Sequence, residues 1–364
     1  MLNGKVIVAR CLSINGPEPW DIHVKNERFY SQMLFRGDLG FGESYMNDWW
    51  NCAKLDECVY KILTANIETK VLNNKIVGFI HTLLTNQQSK SRAFVVGQHH
   101  YDIGNDLYSL MLDKRLTYTC GYWKNASGLD QAQEQKLKLV CDKLNLQPGQ
   151  RVLDIGCGWG SFAKYAAENY GVSVVGITVS KRQIELGQQL CHGLPVELRY
   201  QDYRDVNDQF DHIVSLGMFE HVGYKNYRHY MQVVQRNLKT TGSFLLHTIG
   251  NNVTTRVGNP WINQYIFPNS LIPSMKQITT AFEGIFVMED WHNFGFDYSL
   301  TLKAWHENFI ANWSNLKKKY GEQFYRMWNF YLLSCAGAFR ARSIQLWQIV
   351  LSKRGAPEGY HSIR

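Results

Sequence analysis

The sequence predicts an α/β fold: a parallel sheet covered by helices on both faces, preceded by a small, mostly helical N-terminal domain. Three observations carry this reading. From Gln98 onward, apolar runs with strand character alternate with amphipathic runs at helical spacing, the pattern of strand–helix–strand units. The first clear strand passes into its helix through RVLDIGCGWG, residues 151–160, with glycines at 156, 158 and 160. The first 85 residues lack that alternation and read as mostly helical, with apolar clusters in YSQMLFRGDLGFGESYMNDWW and LDECVYKILTANI.

Taken in order, the N-terminal domain spans 1–85 and is followed by a linker, 86–99, around the polar stretch TNQQSKSR, which has no strong period. The main domain then runs over 100–364. Strands are expected near 151–156, 173–178, 196–201, 211–217 and 242–249, with helices at 160–170, 180–191 and 226–238. Val152, Leu153 and Ile155 read as a buried strand, and Phe162, Tyr165 and Ala166 fit one face of the helix after it. The three glycines let the backbone between them turn sharply and approach a ligand closely. A dinucleotide fingerprint would need its third glycine at 161, where this chain has Ser161. Ligands in such sheets bind beyond the carboxyl ends of the strands. Asp154, Thr178, Gln201, Asp202, residues 218–221 and His247 are therefore expected to line one rim. An insertion over 250–285, rich in Trp, Tyr, Phe and Ile, follows the fifth strand and suits an apolar lid or tunnel at that rim.

Composition narrows the class. At 364 residues and 45% hydrophobic content, the chain has enough material for one large domain or a large one plus a small one. Its eight cysteines, at 11, 52, 58, 120, 141, 157, 191 and 335, form no CxxC pair. That argues for reduced thiols in a cytoplasmic protein, against a disulfide framework and against a structural zinc site. The N-terminus carries Asn3 and Lys5 and only a short apolar run, unlike a signal peptide. No apolar stretch approaches the roughly 20 residues that span a bilayer, so any membrane contact is expected to be peripheral. The net charge of +8 is uneven. Residues 1–85 hold nine basic and nine acidic residues, whereas 317–364 hold nine basic residues against Glu322 and Glu358, a balance of +7. Such a segment attracts polyanions, with anionic lipid contributing about 1 kcal/mol per nearby Lys or Arg.

Motifs then sharpen the reading. The spacing D-x-G-x-G-x-G over 154–160 resembles motif I of S-adenosylmethionine-dependent methyltransferases. Further segments extend the likeness over nearly the whole chain: GFGESYMNDWW, QHHYDIGNDLYSLMLDKRLTYTCGYW, QDYRDVNDQFDHIVSLGMFEHVG, LLHTIG, PWINQYIFPN, MEDWHNFGFDY and CAGAFRARSIQLWQ. Together they resemble the bacterial cyclopropane-fatty-acyl-phospholipid synthases, which carry an N-terminal helical domain absent from the shorter mycolic-acid enzymes. The resemblance implies the class I methyltransferase fold, a Rossmann-like, seven-stranded, mostly parallel sheet. It also implies a reaction: transfer of a methylene from S-adenosylmethionine to the cis double bond of an unsaturated phospholipid acyl chain.

That chemistry makes demands which these residues suit. An alkene is a poor nucleophile, so the sulfonium must be held close and in line with it. The resulting carbocation would be quenched by water, so the pocket must be dry, and aromatic faces stabilise a desolvated cation by roughly 2 kcal/mol or more. The resemblance implies a bound bicarbonate as the base that takes the proton, held by Cys120, Glu220, His247, the backbone at Ile249, and Tyr298. His247, Tyr298 and the Ile249 N–H can donate hydrogen bonds to an anion, and Glu220 can accept the bicarbonate hydroxyl proton. Cys120 is expected as a weak donor and packing group. Cys335, in CAGAF, is expected as a structural residue near the pocket that supports catalysis. For S-adenosylmethionine the resemblance implies Tyr118 and Thr119, then Asp154, Ile155, Gly156, Cys157, Gly158 and Trp159. It further implies Thr178, Val179, Ser180 and Gln183, and Gln201 with Asp202. The second strand ends without a carboxylate for the ribose, which leaves that contact to Thr178 and Gln183. Asp202 is the natural partner of the adenine amino group, and either Asp154 or Asp202 alternatively serves as a helix cap.

Expected partners are unsaturated phospholipids, reached peripherally at the inner face of the cytoplasmic membrane, and a second copy of the chain in a homodimer. The basic C-terminal segment is the expected contact for anionic headgroups. A methyltransferase acting on another lipid acyl acceptor without ring closure is the alternative. A non-catalytic lipid- or nucleic-acid-binding module is disfavoured by the complete motifs, and no nucleic-acid partner is expected.

Overall fold

The computed structural model describes residues 12–65 and 104–364; the expected linker, 86–99, and the end of the expected N-terminal domain lie outside them. A seven-stranded sheet organises the main domain. Its strands are β3 (Arg151–Ile155), β4 (Ser173–Thr178), β5 (Val196–Tyr200), β6 (Phe210–Leu216), β7 (Leu238–Asn251), β8 (Val287–Asn293) and β9 (Ile344–Ser352). They lie in the order β5-β4-β3-β6-β7-β9-β8. β5, β4, β3, β6 and β7 pair in parallel, whereas β9 runs antiparallel between β7 and β8. Where β3 meets β6 the strand order reverses, which opens the crevice that ligands occupy in such sheets.

Alternation in the strands shows why both faces are covered. Val152, Val174, Val214, Leu245 and Val350 pack on one face with α4 (Leu129–Lys143) and α5 (Ser161–Tyr170). Their neighbours Leu153, Val175, Ile213, Phe244 and Ile349 pack on the other, against Tyr230 and Val234 of α7 (Tyr227–Asn237) and Ile278 of α9 (Met275–Phe282). Strands buried on both sides are mostly apolar, as these are. α6 (Lys181–Leu190) forms the crossover from β4 to β5, and the short α8 (Pro260–Tyr265) precedes α9 within the insertion. Each of the five strands and three helices read from the sequence is present.

The N-terminal residues do not stand apart. A two-residue ladder of β1 (His23–Val24) and β2 (Trp50–Asn51) brackets α1 (Arg28–Met46), which breaks at Gly37, and α2 (Leu55–Thr64) follows. Phe29, Tyr45, Trp50 and Cys58 share one hydrophobic cluster with Leu107 and Tyr108 of α3 (Asn105–Met111), Trp305 of α10 (Gly295–Ala311), and Trp328 and Phe330 of α11 (Trp313–Arg340). Trp261 of α8 lies so close to Gly42 that a Cβ there would sit 2.3 Å from the indole ring.

Charge strengthens this contact and revises one expectation. Arg326 donates to Tyr45 O (2.5 Å), Trp50 O (2.9 Å) and Asn51 Oδ1 (2.7 Å), with its guanidinium 4.2 Å from the Tyr45 ring centroid. Arg340 pairs with Glu57, Lys319 with Asp106 and Arg364 with Asp290. Four of the nine cations counted in the basic C-terminal segment thus hold the molecule together. The segment is less a free face for anionic headgroups than its +7 suggests.

Arg326→Met is expected to leave three acceptors, two of them main-chain carbonyls, without their charged donor. A charged hydrogen bond contributes about 1.5–3 kcal/mol, so urea unfolding should reveal a loss of that order. Limited proteolysis should cut first within 12–65.

Candidate active site

At the carboxyl end of β3 the chain doubles back over β4, where Gly156 and Cys157 donate from their backbone N–H groups to Ile177 O at 2.9 and 3.0 Å. Gly156, Gly158 and Gly160 all have positive φ, at 88°, 55° and 85°. A Cβ on Gly156 would lie 2.7 Å from Met218 Cβ, whereas nothing lies within 4 Å of that position on Gly158. The turn is therefore packed at its root and open at its tip, above the N-terminus of α5. Asp154 is buried beneath it, and its Oδ1 has no hydrogen-bond partner among the described residues. Burial pushes its carboxyl up to about 7, against the opposing pull of the Lys136 ammonium.

The other rim residues gather around this turn. Trp159 is buried and donates from Nε1 to Asn105 Oδ1 at 3.2 Å. Thr178 donates to Gln183 Oε1 at 2.7 Å, and Ser180 caps α6 by accepting from Gln183 N–H at 3.4 Å. Val179 occupies the bend between them, and Gln201 donates from its N–H to Thr178 O at 3.1 Å. Ile155 is buried in the core and Cys157 beside α6, its thiol pushed up by burial, so both present backbone to the crevice. Asp202 departs from the simplest expectation. Its carboxylate accepts from Arg204 N–H (2.9 Å) and Arg204 Nη1 (2.8 Å) and caps the short 3-10 turn Tyr203–Asp205.

A second cluster sits at the ends of β6 and β7. Beyond the last β6–β7 pair, Leu216 with His247, the two chains separate. The Ile249 N–H turns to Glu220 Oε1 at 2.6 Å. Burial pushes the Glu220 carboxyl above its ordinary range, which this N–H partly offsets. The donor expected to serve a bound anion at Ile249 is thus engaged with Glu220 here. His247 is 1% exposed and held neutral, because burial and the ammonium groups of Lys136 and Lys143 all disfavour its charged form. Among the described residues, neither Glu220 Oε2 nor His247 Nε2 has a hydrogen-bond partner. Two orphaned polar atoms in a buried site cost free energy unless a polar ligand joins them, and a small oxyanion suits that need.

α10 supplies the next wall. Tyr298 stacks on Phe339 of α11 at 4.5 Å between centroids and meets Trp305 edge-on at 6.0 Å, with burial raising its phenol. One helical turn on, the Thr301 hydroxyl donates to Asp297 O (2.9 Å) and accepts from Gly121 N–H (3.1 Å) and Trp123 Nε1–H (2.9 Å). Asp297 Oδ2 accepts from the Trp123 N–H at 2.7 Å. These bonds dock the segment bearing Tyr118, Thr119 and Cys120 onto α10. Cys120 is fully buried, its Sγ 3.1 Å from Gly121 O and 3.9 Å from Thr301 Oγ1, and burial pushes its thiol well above the usual range. It is a packed thiol, not a thiolate nucleophile.

Aromatic rings close the space between the two clusters. Tyr118 lies 5.2 Å from Trp305 and 6.3 Å from Phe267 of the insertion, and its hydroxyl is 3.0 Å from that of Tyr331. Tyr331, Cys335 and Phe339 follow at four-residue spacing on α11, so Cys335 sits on the stripe that faces Tyr118 and Tyr298. Burial pushes its thiol up to about 12.

Three contributors escaped the reading of the sequence. Thr301 is an ordinary helix residue until its hydroxyl is seen to bridge two segments. Gln348, on β9 beside His247, interrupts a mostly apolar strand. Lys136 is fully buried, donates to Thr119 Oγ1 at 2.8 Å, and is pushed down to about 8 by burial, with Asp113, Cys120 and Asp154 close by. Its place on the apolar stripe Ala132, Leu137, Val140 was the available signal.

A seven-stranded sheet with one antiparallel strand and a glycine turn over a buried acid is the architecture of class I S-adenosylmethionine-dependent methyltransferases. Residues 88–349 match the family model described as mycolic acid cyclopropane synthetase. The chain is 54% identical to the cyclopropane-fatty-acyl-phospholipid synthase of Escherichia coli K12, over 97% of this chain and 93% of that one. Among solved structures, the cyclopropane synthase MmaA2 of Mycobacterium tuberculosis aligns with a TM-score of 0.68 at 30% identity, covering 71% of this chain and 98% of that one. The mycolic acid cyclopropane synthase CmaA1, complexed with SAH and CTAB, aligns with a TM-score of 0.67 at 32% identity, over 71% and 98%. The chain belongs to the cyclopropane-fatty-acid synthase family, enzymes that use S-adenosylmethionine to build cyclopropane rings on fatty acyl chains.

Thr301→Val keeps the volume but leaves the Gly121 N–H and the Trp123 indole N–H without their acceptor. At about 1–3 kcal/mol for each buried group left unpaired, thermal unfolding should register a loss of about 2–6 kcal/mol. Thr301→Ser, which retains the hydroxyl, should recover most of it.

Proposed function

We propose that this enzyme acts on unsaturated acyl chains of membrane phospholipids, and that a bicarbonate held between Glu220, His247 and Tyr298 removes the proton that allows ring closure. One observation carries the reading. Among the described residues, Glu220 Oε2 and His247 Nε2 are both buried and unpartnered, one on the turn after β6 and the other on β7, which the Glu220–Ile249 hydrogen bond joins.

When bound, S-adenosylmethionine supplies an electrophilic methyl, and bicarbonate supplies a base small enough for a site with no water. In the reaction one alkene carbon takes the methyl as the S–C bond breaks, which leaves positive charge on the other. Loss of a proton from the new methyl frees the electron pair that closes the ring. The chain's own residues have four tasks in this. The turn at 156–160 and the Thr178–Gln183–Ser180 group hold the cofactor, with Asp154 beneath. Tyr118, Phe267, Trp305 and Tyr298 exclude water and turn aromatic faces to the developing cation. A neutral His247 and the Tyr298 hydroxyl donate to the anion, while the Glu220 carboxylate accepts its hydroxyl proton and points its basic oxygen inward. Cys120 and Cys335 shape the walls. Among the described residues no helix is long and apolar enough to cross a membrane; access to the lipid from the inner surface of the cytoplasmic membrane is therefore part of this reading. Assembly as a homodimer belongs to it on the family resemblance alone.

Purified enzyme incubated with vesicles of unsaturated phospholipid, labelled S-adenosylmethionine and bicarbonate should yield acyl chains heavier by one CH2 with the alkene lost, read by mass spectrometry. A gain of CH2 with the double bond retained would establish methyl branching instead. Glu220→Gln is expected to lower kcat by about 10²-fold or more, with cofactor affinity by calorimetry unchanged.

Cofactor binding should also depend on pH through Asp154, which titrates near 7. Below that value the carboxyl is neutral, and affinity should fall by up to about tenfold per pH unit. Lys136→Met removes the ammonium that opposes the rise, so the fall should begin at higher pH.

A further inference from the structure

The row of side chains across β8, β9 and β7 contains a residue that the chemistry above does not use. His292, Gln348 and His247 are cross-strand partners in register, and Gln348 is fully buried between the two imidazoles. Gln348 Nε2 lies 3.3 Å from His247 Nδ1. In this orientation of the amide, whose Oε1 has no hydrogen-bond partner among the described residues, the Nε2–H donates, and Nδ1 is an acceptor that carries no hydrogen. A neutral imidazole has one N–H, which must then be on Nε2. That atom is the one without a protein partner.

We propose that Gln348 is a positioning residue that holds His247 in the Nε2–H tautomer, so that the ring presents a donor to the anion beside Glu220.

Two features of the surroundings support this. Lys136 and Lys143, both on α4, together with burial, hold His247 uncharged, so its ability to donate depends entirely on which nitrogen keeps the single hydrogen. His292, the other neighbour of Gln348, is turned away by a contact of its own, with Nδ1 3.1 Å from Lys143 Nζ. An ammonium also only donates, so His292 Nδ1 is occupied and does not compete for the amide. The remaining groups facing His247 are the Phe294 ring, 5.9 Å away, and the Glu220 cluster in front, whose carboxylate is engaged by Ile249 N–H. Among the described residues, Gln348 alone therefore addresses Nδ1. A glutamine suits this place better than a glutamate, because a carboxylate would draw the hydrogen to Nδ1 and leave an acceptor facing the anion.

This inference rests on the proposed anion site for its consequence, but its first test does not. Nitrogen-15 spectra of histidine-labelled enzyme, with His247 assigned by comparison with His247→Gln, report the tautomer without any ligand. The wild type should show the Nε2–H form, and Gln348→Glu should show Nδ1–H or the imidazolium. Gln348→Glu and Gln348→Leu should both lower kcat by about 10²-fold, as loss of one aimed donor does, with cofactor affinity unchanged. A wild-type Nδ1–H signal would overturn the proposal. So would a Gln348→Leu enzyme that keeps the Nε2–H tautomer, whatever its activity. If the tautomers behave as expected while bicarbonate has no effect on turnover, the role of Gln348 on the ring stands and the anion reading fails.

Discussion

The hydrogen bond from the Ile249 N–H to the Glu220 carboxylate is the contact on which the proposed anion site depends. It exists because β7 outruns β6. Where pairing stops at Leu216 and His247, the next backbone donor facing the crevice is left without a strand partner, and a carboxylate from the turn after β6 takes it. The bond ties the two loops together and orients Glu220, and its other oxygen is left beside the face of β7 that bears His247. Two residues apart on one strand, His247 and Ile249 share a side. One strand overhang thereby assembles acceptor, donor and backbone at a single point.

α11 links this chemistry to the rest of the chain. Its first half and outer face hold the N-terminal residues through Arg326, Trp328 and Phe330, whereas Tyr331, Cys335 and Phe339 face the aromatic cavity. The same helix is both the seat of the N-terminal segment and a wall of the pocket. Burial acts throughout in the same direction: it raises the carboxyls of Asp154 and Glu220, raises the thiols of Cys120 and Cys335, and keeps His247 uncharged. A site that excludes water, as the proposed carbocation would require, accepts these penalties as a consequence of being dry. Lys136, charged and enclosed, offsets part of the cost beneath the cofactor turn.

The amino-acid sequence by itself determined the central sheet and its helices, because strands such as Val152–Ile155 and helices such as α5 carry local periodicities that survive without context. It also determined the glycine turn, whose positive φ values exclude most side chains, and the family, since motifs spread from GFGESYMNDWW to CAGAFRARSIQLWQ are read directly. The antiparallel strand β9 and the edge strand β8 beside it were not legible: VMEDWHN carries charge, and Gln345 and Gln348 interrupt the apolar run of β9. Tertiary structure alone decided how ionisable groups are used. Asp202 is committed to Arg204, the Ile249 N–H to Glu220, and Arg326 and Arg340 of the C-terminal segment to the N-terminal residues. Those choices depend on which group lies within about 3 Å of which other, and on how completely water is removed. Such distances, set even between residues 283 positions apart as in Arg340 and Glu57, and the exclusion of solvent around them, are properties of the packed chain and leave no local pattern to read.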